Sequence, residues 1–314
     1  MIRKLTHKVL LFLFLLAVSQ VQLKGQEFPS SLQYINNMQT LNPAFVGMWD
    51  RAGFMVSTRT NWVGIKGAPL TQHLSAFMPI KDQRSGVGLN VKRVTEGLEK
   101  RLYFTGDYSY QVRLDIYTYM RFGLRAGIVN FDNSLTDYQL YPDRIPDSEF
   151  ASDIHLYFMS VLGFGTMIYN DDYYVSLSIP QVIGNTFQVN RDYLTSAYNF
   201  KTLYLSGSYV FKLQNDIRLR PNLMIVGTLG KSVYFDAAAL VYLPINLNVG
   251  LNVRSNGTVC FSAQYYFRNN LKIGYASDYA LVSDIKKYQL GTYEFLVGYD
   301  FNINRRKNTK PVYF

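Results

Sequence analysis

Ile245-Asn246-Leu247-Asn248-Val249-Gly250-Leu251-Asn252-Val253-Arg254 decides the fold of this chain. Apolar side chains occupy every second position, and polar or small ones fill the positions between. Successive side chains of a strand point to opposite sides, so this stretch makes a strand with one greasy face and one polar face. A helix would scatter the same residues around its circumference. Leu102, Phe104, Gly106, Tyr108 and Tyr110 alternate in the same way with Tyr103, Thr105, Asp107, Ser109 and Gln111. Leu203, Leu205, Gly207, Tyr209 and Phe211 alternate with Tyr204, Ser206, Ser208 and Val210.

Counting such runs predicts about fourteen strands, at 52–61, 71–80, 85–95, 101–112, 118–130, 155–169, 172–180, 201–212, 217–227, 232–243, 245–254, 257–267, 270–277 and 289–302. Alternate connections are short: 81–84, 113–117, 170–171, 213–216, Pro244 alone, and 268–269. The connections between them include the long ones, at 62–70, 131–154, 181–200 and 278–288. One end of the sheet therefore has tight turns and the other has large loops. With strands of roughly ten residues and aromatic enrichment, this is the pattern of a transmembrane antiparallel β-barrel of the outer-membrane type. A soluble sandwich also alternates, but it does not explain one-sided loops together with Tyr, Phe and Leu on the outer face of nearly every strand. Closure leaves no unpaired backbone edge in lipid. Both ends of the barrel are expected on the short-turn side, which places both termini in the periplasm.

The composition agrees. Of 314 residues, 48% are hydrophobic and 17% charged, which excludes disorder. A single Cys260 excludes a disulfide framework and a thiolate metal cluster. Residues 1–25 have the layout of a signal peptide: Arg3, Lys4 and Lys8, an apolar run from Val9 to Val18, then a polar stretch. That run is about half the length of a spanning helix, which favours a cleaved signal over a retained anchor. Cleavage would remove Arg3, Lys4, Lys8 and Lys24, taking 32 Lys+Arg to 28 against 22 Asp+Glu and leaving a net +6. This is too ordinary an excess to indicate a nucleic-acid partner. The expected organisation is a signal peptide at 1–25, an N-terminal periplasmic or plug segment at 26–51, a single barrel domain at 52–303 and a periplasmic tail at 304–314.

No catalytic, cofactor or metal site emerges. His73 and His155 fall near the loop-bearing rim, but no Ser or Asp accompanies them at a diagnostic spacing. Arg59, Lys92, Arg121, Arg125, Arg254, Lys272, Asp107, Glu294 and Asp300 share the polar phase of their strands. They should point into the lumen, since an ion facing lipid costs a few kcal/mol at mid-depth. Such charges either line a conduit or stitch the lumen shut, and the second reading is favoured because fourteen strands enclose space that something must fill. Cys260 shares this inward phase and is read as a space filler. The connection 131–154 is acidic, with Asp132, Asp137, Asp143, Asp147, Glu149 and Asp153 against Arg144. The tail offers Arg305, Arg306, Lys307 and Lys310 beside Tyr313 and Phe314, a basic and aromatic combination suited to docking a partner.

The segment before the first strand carries Asn42-Pro43-Ala44 and Gly47, whose Pro and Gly indicate a fixed turn, with Leu32, Tyr34, Leu41 and Phe45 as apolar anchors. Gln26-Glu27-Phe28-Pro29, Gln33-Tyr34, Leu41-Asn42-Pro43-Ala44 and Gly47 form one block of motifs. A second contains Arg59-Thr60-Asn61-Trp62-Val63-Gly64, Gly67-Ala68-Pro69, Thr71, Ser75, Pro79 and Gly86-Val87-Gly88-Leu89. Together they resemble the PorP/SprF family, outer-membrane proteins of the type IX secretion system of Bacteroidetes. The resemblance is dense over 26–127 and architectural beyond. It implies a non-enzymatic secretion component that associates with periplasmic ring or peptidoglycan-linked partners and, in some members, with a surface adhesin. The alternative from another class is a passive or ligand-specific channel. A specialised structural or partner site is expected where Asn42, Pro43, Ala44 and Gly47 meet Arg59, Trp62, Gly64, Gly67 and Pro69. Such contact requires the N-terminal segment to climb the lumen or the 62–70 loop to fold inward, and either would plug the barrel.

Overall fold

The computed structural model describes residues 31–49, 51–80, 84–137, 152–182, 201–228, 233–281 and 290–302. The expected signal segment 1–25, residues 26–30, most of the acidic connection and the tail residues Arg305, Arg306, Lys307, Lys310, Tyr313 and Phe314 lie outside the described residues. Strands β1 Arg51–Thr60, β2 Leu70–Ile80, β3 Ser85–Glu96, β4 Glu99–Arg113, β5 Tyr119–Asn133, β6 Ile154–Tyr169 and β7 Tyr173–Ile179 form the first half. The second half comprises β8 Thr202–Tyr209, β9 Phe211–Lys212, β10 Arg218–Thr228, β11 Tyr234–Leu243, β12 Leu247–Arg254, β13 Thr258–Tyr266, β14 Leu271–Ala280 and β15 Thr292–Asn302. Neighbours pair antiparallel around the sheet, and β1 pairs with β15 from Arg51 opposite Asn302 to Thr60 opposite Tyr293, closing the ring.

Fifteen segments make fourteen staves, because β8 and β9 are halves of one strand interrupted at Val210. Pro221 lies opposite the break: the ladder with β10 stops at Ser208 opposite Asn222 and resumes at Phe211 opposite Leu219. Proline has no N–H to give to a ladder. The Val210 amide turns away and donates to the Asp172 carbonyl at 2.7 Å.

The alternation sorts the side chains as the sequence predicts. Along β5, Arg121 is 0% exposed and Arg125 8%, whereas Leu124 between them is 59% exposed on the outer surface. An arginine in the position of Leu124 would cost about 2–4 kcal/mol at the bilayer midplane. Arg121, Arg125, Arg254, Lys272, Asp107, Glu294 and Asp300 are all buried inside, and Arg59 and Lys92 line an internal cavity. The outer face carries Phe104, Val175, Leu251, Phe295 and Phe301.

Three details differ from the expected strands. The turn after β11 is 244–246, with Asn246 at φ 60°, so Ile245 belongs to the turn and β12 begins at Leu247. Asn215, Asp216 and Asn270 take the same left-handed conformation at other short turns, where Asn and Asp are the non-glycine residues that best tolerate it. β14 continues to Ala280 and β15 begins at Thr292, rather than at the expected 277 and 289. A bulge at Phe158, φ 56°, shifts the β5–β6 register and reverses inward and outward positions above it. The end asymmetry rests on connections 61–69, 134–153, 180–201 and 281–291, since 97–98 and 255–257 on that same end are also tight.

Candidate functional site

Residues 31–49 run inside the barrel. Ser31 and the Leu32 amide both bond the carboxylate of Glu294, near the long-loop end of β15. Trp49 stacks edge-on against Phe77, near the short-turn end of β2, with ring centroids 4.5 Å apart. The segment thus spans much of the lumen from its long-loop half to its short-turn rim, one of the two arrangements that the sequence allowed.

Three short 3-10 turns shape it: Tyr34–Asn36, Met38–Thr40 and Pro43–Phe45. The last follows directly from Asn-Pro-Ala. Pro43 supplies a fixed φ in the first position, and the Asn42 side chain accepts the Ala44 amide at 2.8 Å. This arrangement projects Tyr34, Met38, Leu41 and Phe45 against Tyr174, Tyr204, Met224, Tyr234 and Leu240 of the wall. Leu32 rests on Cys260 and Ala276, which gives the lone cysteine its space-filling place. Val46 and Trp49 pack with Met55, Phe77 and Leu296.

Polar anchors fix the segment all the way round. Arg125 pairs with Asp107 through Nε to Oδ1 at 2.7 Å and a second guanidinium nitrogen to Oδ2 at 2.8 Å. The same guanidinium donates to the carbonyls of Thr40 at 3.0 Å and Gln39 at 2.6 Å. Asn37 donates to Ser75 Oγ at 2.8 Å, Ser178 to the Leu41 carbonyl at 2.8 Å, and the Tyr34 hydroxyl to Asp236 at 3.0 Å. Asp236 also accepts from Arg254 at 2.9 Å, and Lys272 pairs with Asp300 at 2.7 Å. The inward charges stitch the lumen together.

Glycines make the space. A Cβ on Gly123 would run into the backbone of Pro43 and Ala44, one on Gly165 into the Asn42 side chain, and one on Gly86 into Gly47 and Val46. Gly47 itself sits at φ +66°, a conformation that favours glycine. Asn42, Pro43, Ala44 and Gly47 therefore form a built contact with the short-turn half of the wall.

The second block lies at the other end. Arg59 stands on β1 opposite Glu294 and lines the cavity above the lumen segment. Trp62, at φ 46°, and Gly64 and Gly67, also at positive φ, shape the 61–69 loop, which closes on itself through Asn61 N–H to the Pro69 carbonyl at 2.9 Å. Val63 exchanges backbone bonds with Leu290 and Gly291, and the Gly97 amide donates to Gly67. The loop thus braces its neighbours at the rim, and the structure does not bring it together with Asn42–Gly47. The histidines are also apart: His73 lines the internal cavity, whereas His155 is on the outer face, 2.9 Å from Asp132 and stacked on Tyr157. No group of three or more metal-ligating side chains occurs among the described residues.

Asp236, buried Arg220 and the glycine cradle were missed by sequence reasoning. The signal for Asp236 was present in the inward phase of β11, shared with Tyr234, Ala238 and Leu240. Gly86 stood in a motif block without a role attached, and Gly123 and Gly165 carried no signal, because their importance depends on which backbone crosses them.

A closed, lipid-facing antiparallel barrel whose lumen is occupied by its own N-terminal segment defines the class: a plugged outer-membrane β-barrel. The family model of the type IX secretion system membrane protein PorP/SprF matches residues 23–299, and the chain belongs to this family. Among solved structures, Omp33 of Acinetobacter baumannii is similar at TM-score 0.46 and 9% identity, covering 81% of this chain and 100% of that one. A Pseudomonas aeruginosa FadL homologue is similar at TM-score 0.46 and 10% identity, covering 89% and 96%. Comparison with curated protein sequences finds no match.

Proposed function

We propose that this protein is a non-enzymatic docking subunit that ties periplasmic secretion machinery to the outer membrane and supports export of surface or secreted proteins. The observation that carries this reading is the lumen segment 31–49, held by Arg125, Asp236, Glu294 and Ser178 from separate strands. With the bore filled, the working surfaces are the two ends. The short-turn end and the tail 304–314 face periplasmic ring or peptidoglycan-associated partners, and the long loops face cargo or an adhesin. The same observation speaks against a passive channel.

A strain deleted for this gene should lose type IX secretion while keeping small-solute uptake; normal secretion would overturn the reading. Trimming 304–314 should weaken recovery of periplasmic components in pull-downs, and unchanged recovery would remove the tail from it. The orientation has its own test. An epitope inserted near Ser148, in the acidic connection, should be stained on intact cells. Staining only after permeabilisation would reverse the topology.

A further inference from the structure

Both ends of the barrel wall lie at the short-turn rim, where Arg51 at the start of β1 pairs with Asn302 at the end of β15. Upstream of Arg51 the chain climbs away from that rim, from Trp49 beside Phe77 to Ser31 and Leu32 beside Glu294. Its N-terminal end is thus carried into the opposite half of the bore.

From Ser31 the chain has one way to go. Leu32, Gln33 and Tyr34 are buried, and the segment as far as Trp49 fills the bore below them. Sideways, Leu32 rests on Cys260 and Ala276, in strands that pair without a break from Thr258 opposite Ala280 to Tyr266 opposite Lys272. Ser31, by contrast, is only partly covered and lines a cavity of 270 Å³. Arg59, Thr71 and Thr202 share that lining, each within one residue of the long-loop end of its strand, so the cavity leads toward the loops. Reach agrees with this route. Glu294 stands two residues from the start of β15, about 7 Å of strand, and eight residues from its other end, about 26 Å. Removal of the expected signal after Gly25 leaves five residues ahead of Ser31, a span of up to about 17 Å. That length passes the near rim and falls short of the far one.

We infer that the processed N-terminus, residues 26–30, leaves through this cavity on the side of the long loops and joins them in one contact face, apart from the short-turn end. That this shared face meets cargo or an adhesin outside the cell rests on the docking reading. That the N-terminus and the long loops share a side does not.

Thiol labelling of the full-length protein in its native outer membrane tests this, with a membrane-impermeant biotin-maleimide applied to intact and to permeabilised cells. The wild type is the blank, since Cys260 is 0% exposed. Glu27→Cys and Ser148→Cys, the latter in the 131–154 connection, should both be labelled on intact cells, each at least tenfold above the blank. Labelling of both only after permeabilisation would keep the N-terminus with the long loops and overturn instead the orientation on which the docking reading rests. Labelling of one variant on intact cells and of the other only after permeabilisation would overturn the proposal, as would Glu27→Cys at the level of the blank in both conditions. Should Glu27→Cys fail to reach the outer membrane, Phe28→Cys takes its place with the same outcomes.

Discussion

Arg125→Leu is expected to lower barrel stability by about 3–5 kcal/mol, the range for breaking a buried ion pair by removing one partner. The substitution leaves Asp107 charged in an interior where it is 4% exposed. It also strips donors from the carbonyls of Gln39 and Thr40, each of which costs about 1–3 kcal/mol if left unmade. Unfolding in urea from lipid vesicles should show the shift in midpoint. Replacing Arg125 and Asp107 together by Leu should recover part of the loss, because no orphaned charge then remains. An unchanged midpoint for the single variant would mean that the pair does not hold the lumen segment.

Gly123→Val is expected to dislodge residues 31–49 with little harm to the barrel. Its side chain would collide with backbone of Pro43 and Ala44, which cannot rotate aside as a flexible side chain can. Overpacking of this kind costs about 1–3 kcal/mol when neighbours absorb it. Here, moving a 3-10 turn sacrifices the Asn42 cap and the edge-on contact of Phe45 with Tyr174 at 5.2 Å. Protease added to the purified variant should cut within 31–49, a region sheltered in the wild type. Gly227→Val is the control, since a Cβ at Gly227 meets nothing within 4 Å. Equal resistance of the Gly123→Val variant would show that the wall yields instead.

The strands were legible because lipid outside and polar atoms inside impose a period of two on each stave. The repeated pattern even placed Arg121, Glu294 and Asp300 correctly. What escaped has a local cause in each case. The Phe158 bulge reverses the phase without any change in composition, and Asn246 ends a turn inside what reads as uninterrupted alternation. The interruption at Val210 comes from Pro221 on a neighbouring strand, a constraint that acts across the ladder. The Asn-Pro-Ala turn was visible as a turn, whereas its docking place was not. That depends on Gly86, Gly123 and Gly165, on β3, β5 and β6, which the pairing of neighbouring strands brings to one side of the lumen. Conversely, Trp62 and Gly64 stood out in the sequence, yet they serve a loop bonded to Leu290 and Gly291 at the far rim.

The central claim is that the barrel is closed by its own chain and works through its ends. Planar-bilayer recording of the purified wild-type protein tests it most directly, with the Gly123→Val variant beside it. The account predicts silence from the wild type and steady current from the variant; persistent, stable current steps from the wild type would contradict it.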